Sequence, residues 1–245
     1  MTKVLVSDLD GTLLGDDSLE LFVEWWEENK EEFSLIYATG RSVESVLDLV
    51  SNTSVPKPEV IIAEMGTVIW WSNLRRECKL WPPVYAAWDR GEICSLLSIY
   101  KELVLQPEEY QSEHKLSYFA DDFDNNFLME LNWKITQKGY MANLIYSYNQ
   151  YLDILPAGLD KGAAVDFVIR QMEFVDQVIV AGDSGNDRSM FGRGYNGILV
   201  ANAETEMNNL TTSPFVYHSK LSYAAGVVDG LNYWTNRRKN VTTNR

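Results

Sequence analysis

A chain of 245 residues, 46% of them hydrophobic and eight of them tryptophan, is long enough to bury one large core or two modest ones. Its formal charge of −14 excludes nucleic acid and anionic membrane surfaces as partners, because both would repel it. No apolar run approaches the roughly 18–20 residues of a membrane span, and the two cysteines, Cys78 and Cys94, form neither a disulfide framework nor a metal ribbon. Both are expected reduced and buried. The first strand begins at Lys3, which leaves no room for a leader peptide, so a cytoplasmic monomer is expected.

Val4-Leu5-Val6-Ser7 reads as a buried strand, and it ends in Asp8-Leu9-Asp10-Gly11-Thr12. Alternation along a strand puts Asp8 and Asp10 on one side. Two like charges there are costly unless a cation sits between them or one is protonated. A hard divalent ion such as Mg²⁺, which prefers oxygen ligands, would relieve that repulsion; the bland alternative is a strand end with two solvated acids. A helix is expected over 18–32, capped by Ser18, with Leu21, Phe22, Trp25 and Trp26 at helical spacing. A second strand over 33–38 runs into Thr39-Gly40-Arg41-Ser42, followed by a helix over 43–51, a loop at Pro56-Lys57-Pro58 and a strand over 60–63. This alternation predicts an α/β fold with a doubly wound, mostly parallel, Rossmann-like sheet.

Beyond Leu80 the pattern changes. Trp81-Pro82-Pro83 breaks the chain, a helix is expected over 92–105, and strands over 115–120, 142–148 and 151–155 surround a helix over 125–138. Short strands joined by a tight turn at Asn149-Gln150 predict an inserted α+β cap over 82–157, with 1–81 and 158–245 forming the core. The core resumes with a helix over 161–172 that opens on Asp160-Lys161-Gly162. A strand over 177–181 then leads into Gly182-Asp183-Ser184-Gly185-Asn186-Asp187. Strands near 198–200 and 215–217 follow, and the basic tail from Thr235 is expected to fray. Each polar cluster thus follows a strand or opens a helix, where open α/β sheets bind ligands.

Asp8-Leu9-Asp10-Gly11-Thr12, the strand into Thr39-Gly40-Arg41, Asp160-Lys161-Gly162, and Gly182 through Asp187 together resemble the four motifs of the haloacid dehalogenase superfamily of phosphatases, in the right order over most of the chain. Tyr37-Ala38-Thr39-Gly40-Arg41-Ser42, Leu152-Asp153-Ile154-Leu155-Pro156, and Tyr217-His218 with Ala224-Ala225-Gly226 are similar to sucrose-phosphate phosphatases, a branch with a type IIB cap. The resemblance implies Mg²⁺-dependent hydrolysis of a small-molecule sugar phosphate, sucrose 6-phosphate first, through an aspartyl phosphate. Another sugar or polyol phosphate, such as a glycosyl-glycerate-type phosphate, is the alternative within the same chemistry.

Phosphoryl transfer needs an in-line nucleophile, neutralised oxygens and a proton for the leaving group. Asp8 is the expected nucleophile and Asp10 the acid–base, with Thr39 and Lys161 completing the catalytic set. Lys161 opens a helix, whose positive end also favours an anion. The metal set is Asp8, Asp10 (by resemblance through its backbone carbonyl), Asp183 and Asp187, the last either ligating through water or positioning Lys161. Gly40, Arg41 and Asn186 are assigned to the substrate, although a structural ion pair serves equally for Arg41. In the cap, Lys115, Tyr118, Asn143, Tyr146, Tyr148 and Asn149 are candidates for reading the sugar, with Lys115 and Asn143 foremost. The chain departs from the family at Glu64-Met65-Gly66-Thr67-Val68-Ile69, where small-x-Gly-Ser/Thr-Glu-Ile is typical, and at Gln150, where the family's Gly is lacking before Tyr151. These departures bear on disaccharide selectivity rather than on phosphoryl chemistry. A non-catalytic sugar-phosphate-binding module is disfavoured, since a binder needs no nucleophile. A phosphomutase would share Asp8 but demand stricter exclusion of water.

Overall fold

The computed structural model describes residues 2–83 and 87–242. Strand β1 (Thr2–Ser7) is central because its side chains are apolar on both faces: Leu5 packs into one core layer, Val4 and Val6 into the other. The first layer is closed by helices α1 (Leu19–Asn29), through Phe22, Trp25 and Trp26, and α2 (Val43–Asn52), through Val43 and Val46. The second is closed by α5 (Lys161–Gln171), through Ala164, Val165 and Val168. Helices on both faces make the sheet doubly wound.

With β2 (Phe33–Ala38), β3 (Val60–Ala63), β4 (Val68–Trp71), β5 (Arg76–Glu77), β10 (Val175–Gly182), β11 (Asn196–Leu199) and β12 (Val216–His218), the sheet runs β12-β11-β10-β1-β2-β3-β4-β5. The six strands from β12 to β3 are parallel. β4 and β5 extend the β3 edge antiparallel, an addition the sequence reading did not contain.

A second sheet, β6-β7-β9-β8, is antiparallel throughout and is built from β6 (Val104–Leu105), β7 (Leu116–Phe119), β8 (Ala142–Ser147) and β9 (Tyr151–Pro156). Helices α3 (Arg90–Leu97) and α4 (Asn125–Gln137) cover it, with Ile93, Leu97, Leu131 and Ile135 packed on Leu116, Tyr118, Leu152 and Ile154 as a separate core. This is the inserted α+β cap.

Several local expectations are corrected. The helix over 92–105 ends at Leu97, because Val104 and Leu105 pair with Phe119 and Tyr118 as an edge strand. Ser18 does not cap α1: its hydroxyl donates to Asp16 and accepts from the Ala225 amide. Both cysteines are free, but half-buried rather than buried. Helix α6 (Tyr223–Thr242) runs into the tail from Thr235 and is anchored ahead of it by buried Leu231 and Trp234, whose Nε1 donates to Gly197 O. Residues 243–245 lie outside the described residues. No helix among the described residues is long and apolar enough to cross a membrane.

Candidate active site

Parallel pairing assembles the site. β1 lies between β10 and β2, with Ser7 in register with Ala181 on one side and Tyr37 on the other. The residues just past these partners therefore emerge together at the carboxyl end of the sheet: Asp8, Asp183 and Thr39. The oxygens of Asp8, Asp183 and Asp187 lie within 4.8 Å of one another, and all three residues are buried. Gly11, at φ +86, lets the chain turn tightly after β1, and a Cβ there would come within 2.5 Å of Asp183 Oδ2.

Lys161, the first residue of α5, is completely buried and is the cation of this cluster. Its Nζ donates to Asp8 Oδ1 (2.8 Å), Asn186 Oδ1 (2.6 Å) and Asp187 Oδ1 (2.7 Å). Asp187 is fixed further, since its Oδ2 accepts from the amides of Asp183 and Ser184. Asp183 accepts from the Thr12 hydroxyl and from the Tyr148 hydroxyl, both at 2.7 Å. Tyr148 comes from the cap. It and Asn149 are the central residues of the β8–β9 turn, both with positive φ, as a type I′ turn requires.

Burial pushes the Asp8 carboxyl well above its usual range, with Asp187 and Asp183 adding to the effect against the pull of Lys161. Burial and then Asp187 push Asp183 up to about 6. Burial lowers Lys161, but Asp187 and Asp8 outweigh it and hold the ammonium above its ordinary range. One ammonium thus faces three crowded carboxylates. An all-oxygen donor set with excess negative charge fits a hard cation, and these three side chains are the ones that can hold it.

The raised Asp183 has a measurable consequence in a chelator. Above about pH 4 the unfolded chain has lost this proton, while the folded protein keeps it to about 6. The stability it contributes is therefore full below the unfolded value and lost as pH rises through 6. Asp183→Asn removes this titration, so in EDTA the melting temperature of the variant minus that of wild type should grow between pH 5 and pH 7. A flat difference in scanning fluorimetry would refute the assignment.

Asp10 stands apart from the trio. Its carboxylate, 54% exposed, accepts bidentate hydrogen bonds from Arg41 Nε (2.7 Å) and Nη2 (2.6 Å). Asp8, Asp10, Thr39, Gly40, Arg41 and Asn186 line a cavity of about 480 Å³ together with Glu64 and Met65 of the core and, among other cap residues, Lys115, Ser117, Ser147, Tyr148, Tyr151 and Asp153. Asn143 is not brought there: its amide donates to Leu159 O, and it lines a separate cavity with Arg188 and Asp160. Several cavity residues carry no role in the sequence analysis, Ser117 and Asp153 among them. Ser117 and Asp153 are buried and bonded to each other, and their only signal was alternation, which places Ser117 opposite Asp153 across β7 and β9.

A parallel sheet presenting these acids and a buried lysine beneath an inserted α+β cap defines a haloacid dehalogenase-type phosphatase with a type IIB cap. The family described as sucrose-6F-phosphate phosphohydrolase matches residues 1–235, and the chain belongs to it. The chain is 31% identical to a mannosylfructose-phosphate phosphatase of Agrobacterium fabrum, over 95% of this chain and 96% of that one. It is 30% identical to sucrose-phosphatase 1 of Nicotiana tabacum, over 94% of this chain and 59% of the plant protein, so it spans about three-fifths of that relative's length. The structure of the Synechocystis sucrose-phosphatase in complex with sucrose and phosphate superposes with a TM-score of 0.88 at 25% identity, covering 96% of this chain and 99% of that one. The protein is a phosphoric monoester hydrolase of the sugar-phosphate class.

Proposed function

We propose that the protein hydrolyses sucrose 6-phosphate to sucrose and phosphate with Mg²⁺ as cofactor, and that residues 82–157 act as the cap that reads the sugar. The observation that carries this reading is the single cavity joining Asp8, Asp10 and Thr39 to a polar cap surface, of a size suited to a small organic ligand. The full-length match to a mannosylfructose-phosphate phosphatase favours a second reading, in which another disaccharide phosphate is the substrate.

In the proposed mechanism a carboxylate oxygen of Asp8 attacks phosphorus and the bridging P–O bond breaks. The bond's electron pair leaves with the sugar oxygen, which takes a proton from Asp10. Water then attacks the aspartyl phosphate, gives its proton to Asp10 and releases phosphate. Held by Asp8, Asp183 and Asp187, Mg²⁺ would supply the charge that lets a carboxylate approach a phosphate. Lys161 orients Asp8 through Oδ1. Thr39, buried at the end of β2, offers its hydroxyl to a phosphate oxygen. Arg41 holds both Asp10 carboxylate oxygens, so the pair must open before Asp10 can reach the leaving oxygen. An arriving phosphate competes for the same guanidinium and thereby couples substrate binding to release of the acid.

The test is phosphate release from sucrose 6-phosphate, mannosylfructose phosphate, glucose 6-phosphate and p-nitrophenyl phosphate. Turnover is expected with Mg²⁺, lost in EDTA and restored by Mg²⁺ but not by Ca²⁺, whose larger and more flexible shell spoils in-line geometry. Full activity in excess chelator would sink the metal assignment. Equal turnover of sucrose 6-phosphate and glucose 6-phosphate would sink the disaccharide assignment.

A further inference from the structure

The cavity lined by Asp8 also holds a second polar cluster, made of Glu64, Lys115, Ser147 and Asp153. Glu64 follows β3 in the core. Its backbone is left-handed (φ +53), as is that of Met65 (φ +60). This is a disfavoured conformation for residues with a Cβ, held here by bonds from Glu64 N to Arg41 O and Met65 N to Thr39 O. The turn delivers the Glu64 carboxylate to the cavity. The residue is only 9% exposed, and its Oε2 is buried without a hydrogen-bond partner among the described residues, 3.1 Å from Lys115 Nζ. Lys115 precedes β7 in the cap, so the pair joins core to cap across the cavity. Buried Asp153 and Ser147, whose Oγ is also buried and unpartnered, line the same cavity.

We infer that Glu64 is a specificity-determining residue. With Lys115, Asp153 and Ser147 it forms a subsite for a neutral, hydroxyl-rich ring carried by the phosphate ester, and it turns away esters whose far end bears a second negative charge. The inference rests on the phosphatase reading and goes further, by fixing the chemical class of the half that does not react. Glu64 Oε2 has the Lys115 ammonium beside it but accepts no hydrogen bond, and a buried hydroxyl without any partner, as at Ser147, is rare in native proteins. Sugar hydroxyls, each both donor and acceptor, satisfy a carboxylate oxygen, an ammonium and a serine hydroxyl together. A second carboxylate or phosphate would instead meet Glu64, Asp153 and Glu109, with the Lys115 ammonium already paired to Glu64 and Arg41 already paired to Asp10, and such like-charge contact is how a site rejects a wrong ligand.

The experiment compares kcat/KM of wild type and Glu64→Gln for sucrose 6-phosphate and for fructose 1,6-bisphosphate, and measures binding of free sucrose by calorimetry. Glu64→Gln keeps the size of the side chain and removes its charge. Wild type should prefer the monophosphate, and the variant should lower that preference by at least about tenfold. Sucrose affinity should fall by about tenfold, since hydrogen bonds to a charged group are the stronger ones. If wild type hydrolyses both esters equally well, the inference is overturned whatever the variant does. If the variant keeps both the wild-type preference and the wild-type affinity, the inference is overturned while the phosphatase reading stands. If neither ester releases phosphate but sucrose binds and the variant weakens it, the phosphatase reading falls and the subsite stands.

Discussion

Asp8→Asn should abolish phosphate release, by at least about a thousandfold, while leaving the protein folded and no less stable in a chelator. An amide oxygen is a poor nucleophile toward phosphorus, so the first displacement fails. Stability should not suffer, because Asn can still accept the hydrogen bond from Lys161 Nζ through its Oδ1. Losing the charge also relieves the crowding with Asp183 and Asp187 that pushes the Asp8 carboxyl up. With Mg²⁺ the order reverses: wild type should gain more in melting temperature than the variant, which has lost one of three carboxylates. Single-turnover phosphate release and thermal melts with and without Mg²⁺ give all three readouts. Turnover within tenfold of wild type would remove Asp8 from the nucleophile's role.

The placement of Asp8, Thr39 and Asp183 was legible because each follows an apolar run. Adjacent parallel strands bring such positions together without any need to know the side-chain packing. The neighbours of Lys161 were less legible, since a helix start says nothing about three oxygens waiting beneath it. Pairing decided what periodicity could not. Val104 and Leu105 continue an apolar helical pattern, and only the presence of β7 makes them a strand. Tyr148 reads as the last residue of a strand. The turn begins one residue earlier than Asn149-Gln150 suggests, with two side-chain-bearing residues in the left-handed region, and this turns the phenol onto Asp183. Asn143 lies four residues along β8 from Ser147, roughly 13 Å at strand rise. One strand therefore serves the cavity at one end and the Leu159 loop at the other. Glu64 lies in a stretch legible only as a departure from the family, because a positive φ cannot be read from Glu-Met.

Lys161→Met should be the most damaging single change to stability. Its ammonium is wholly buried against Asp8, Asn186 and Asp187. Removing one partner of a buried pair leaves uncompensated charge and costs about 3–5 kcal/mol. In a domain of this size that lowers the metal-free melting temperature by roughly 6–20 °C. Phosphate release should fall by at least about a hundredfold, since the nucleophile loses its orienting contact. Two further measurements separate charge from packing. Mg²⁺ should raise the melting temperature of Lys161→Met more than that of wild type, because a cation among Asp8, Asp183 and Asp187 replaces part of the missing charge. Asp187→Asn added to Lys161→Met should recover stability, because it removes one of the carboxylates left facing the gap. A double variant less stable than Lys161→Met alone would mean that Asp187 matters chiefly through the amides of Asp183 and Ser184 that its Oδ2 holds. The role of the lysine would then lie in packing rather than in balancing three acids.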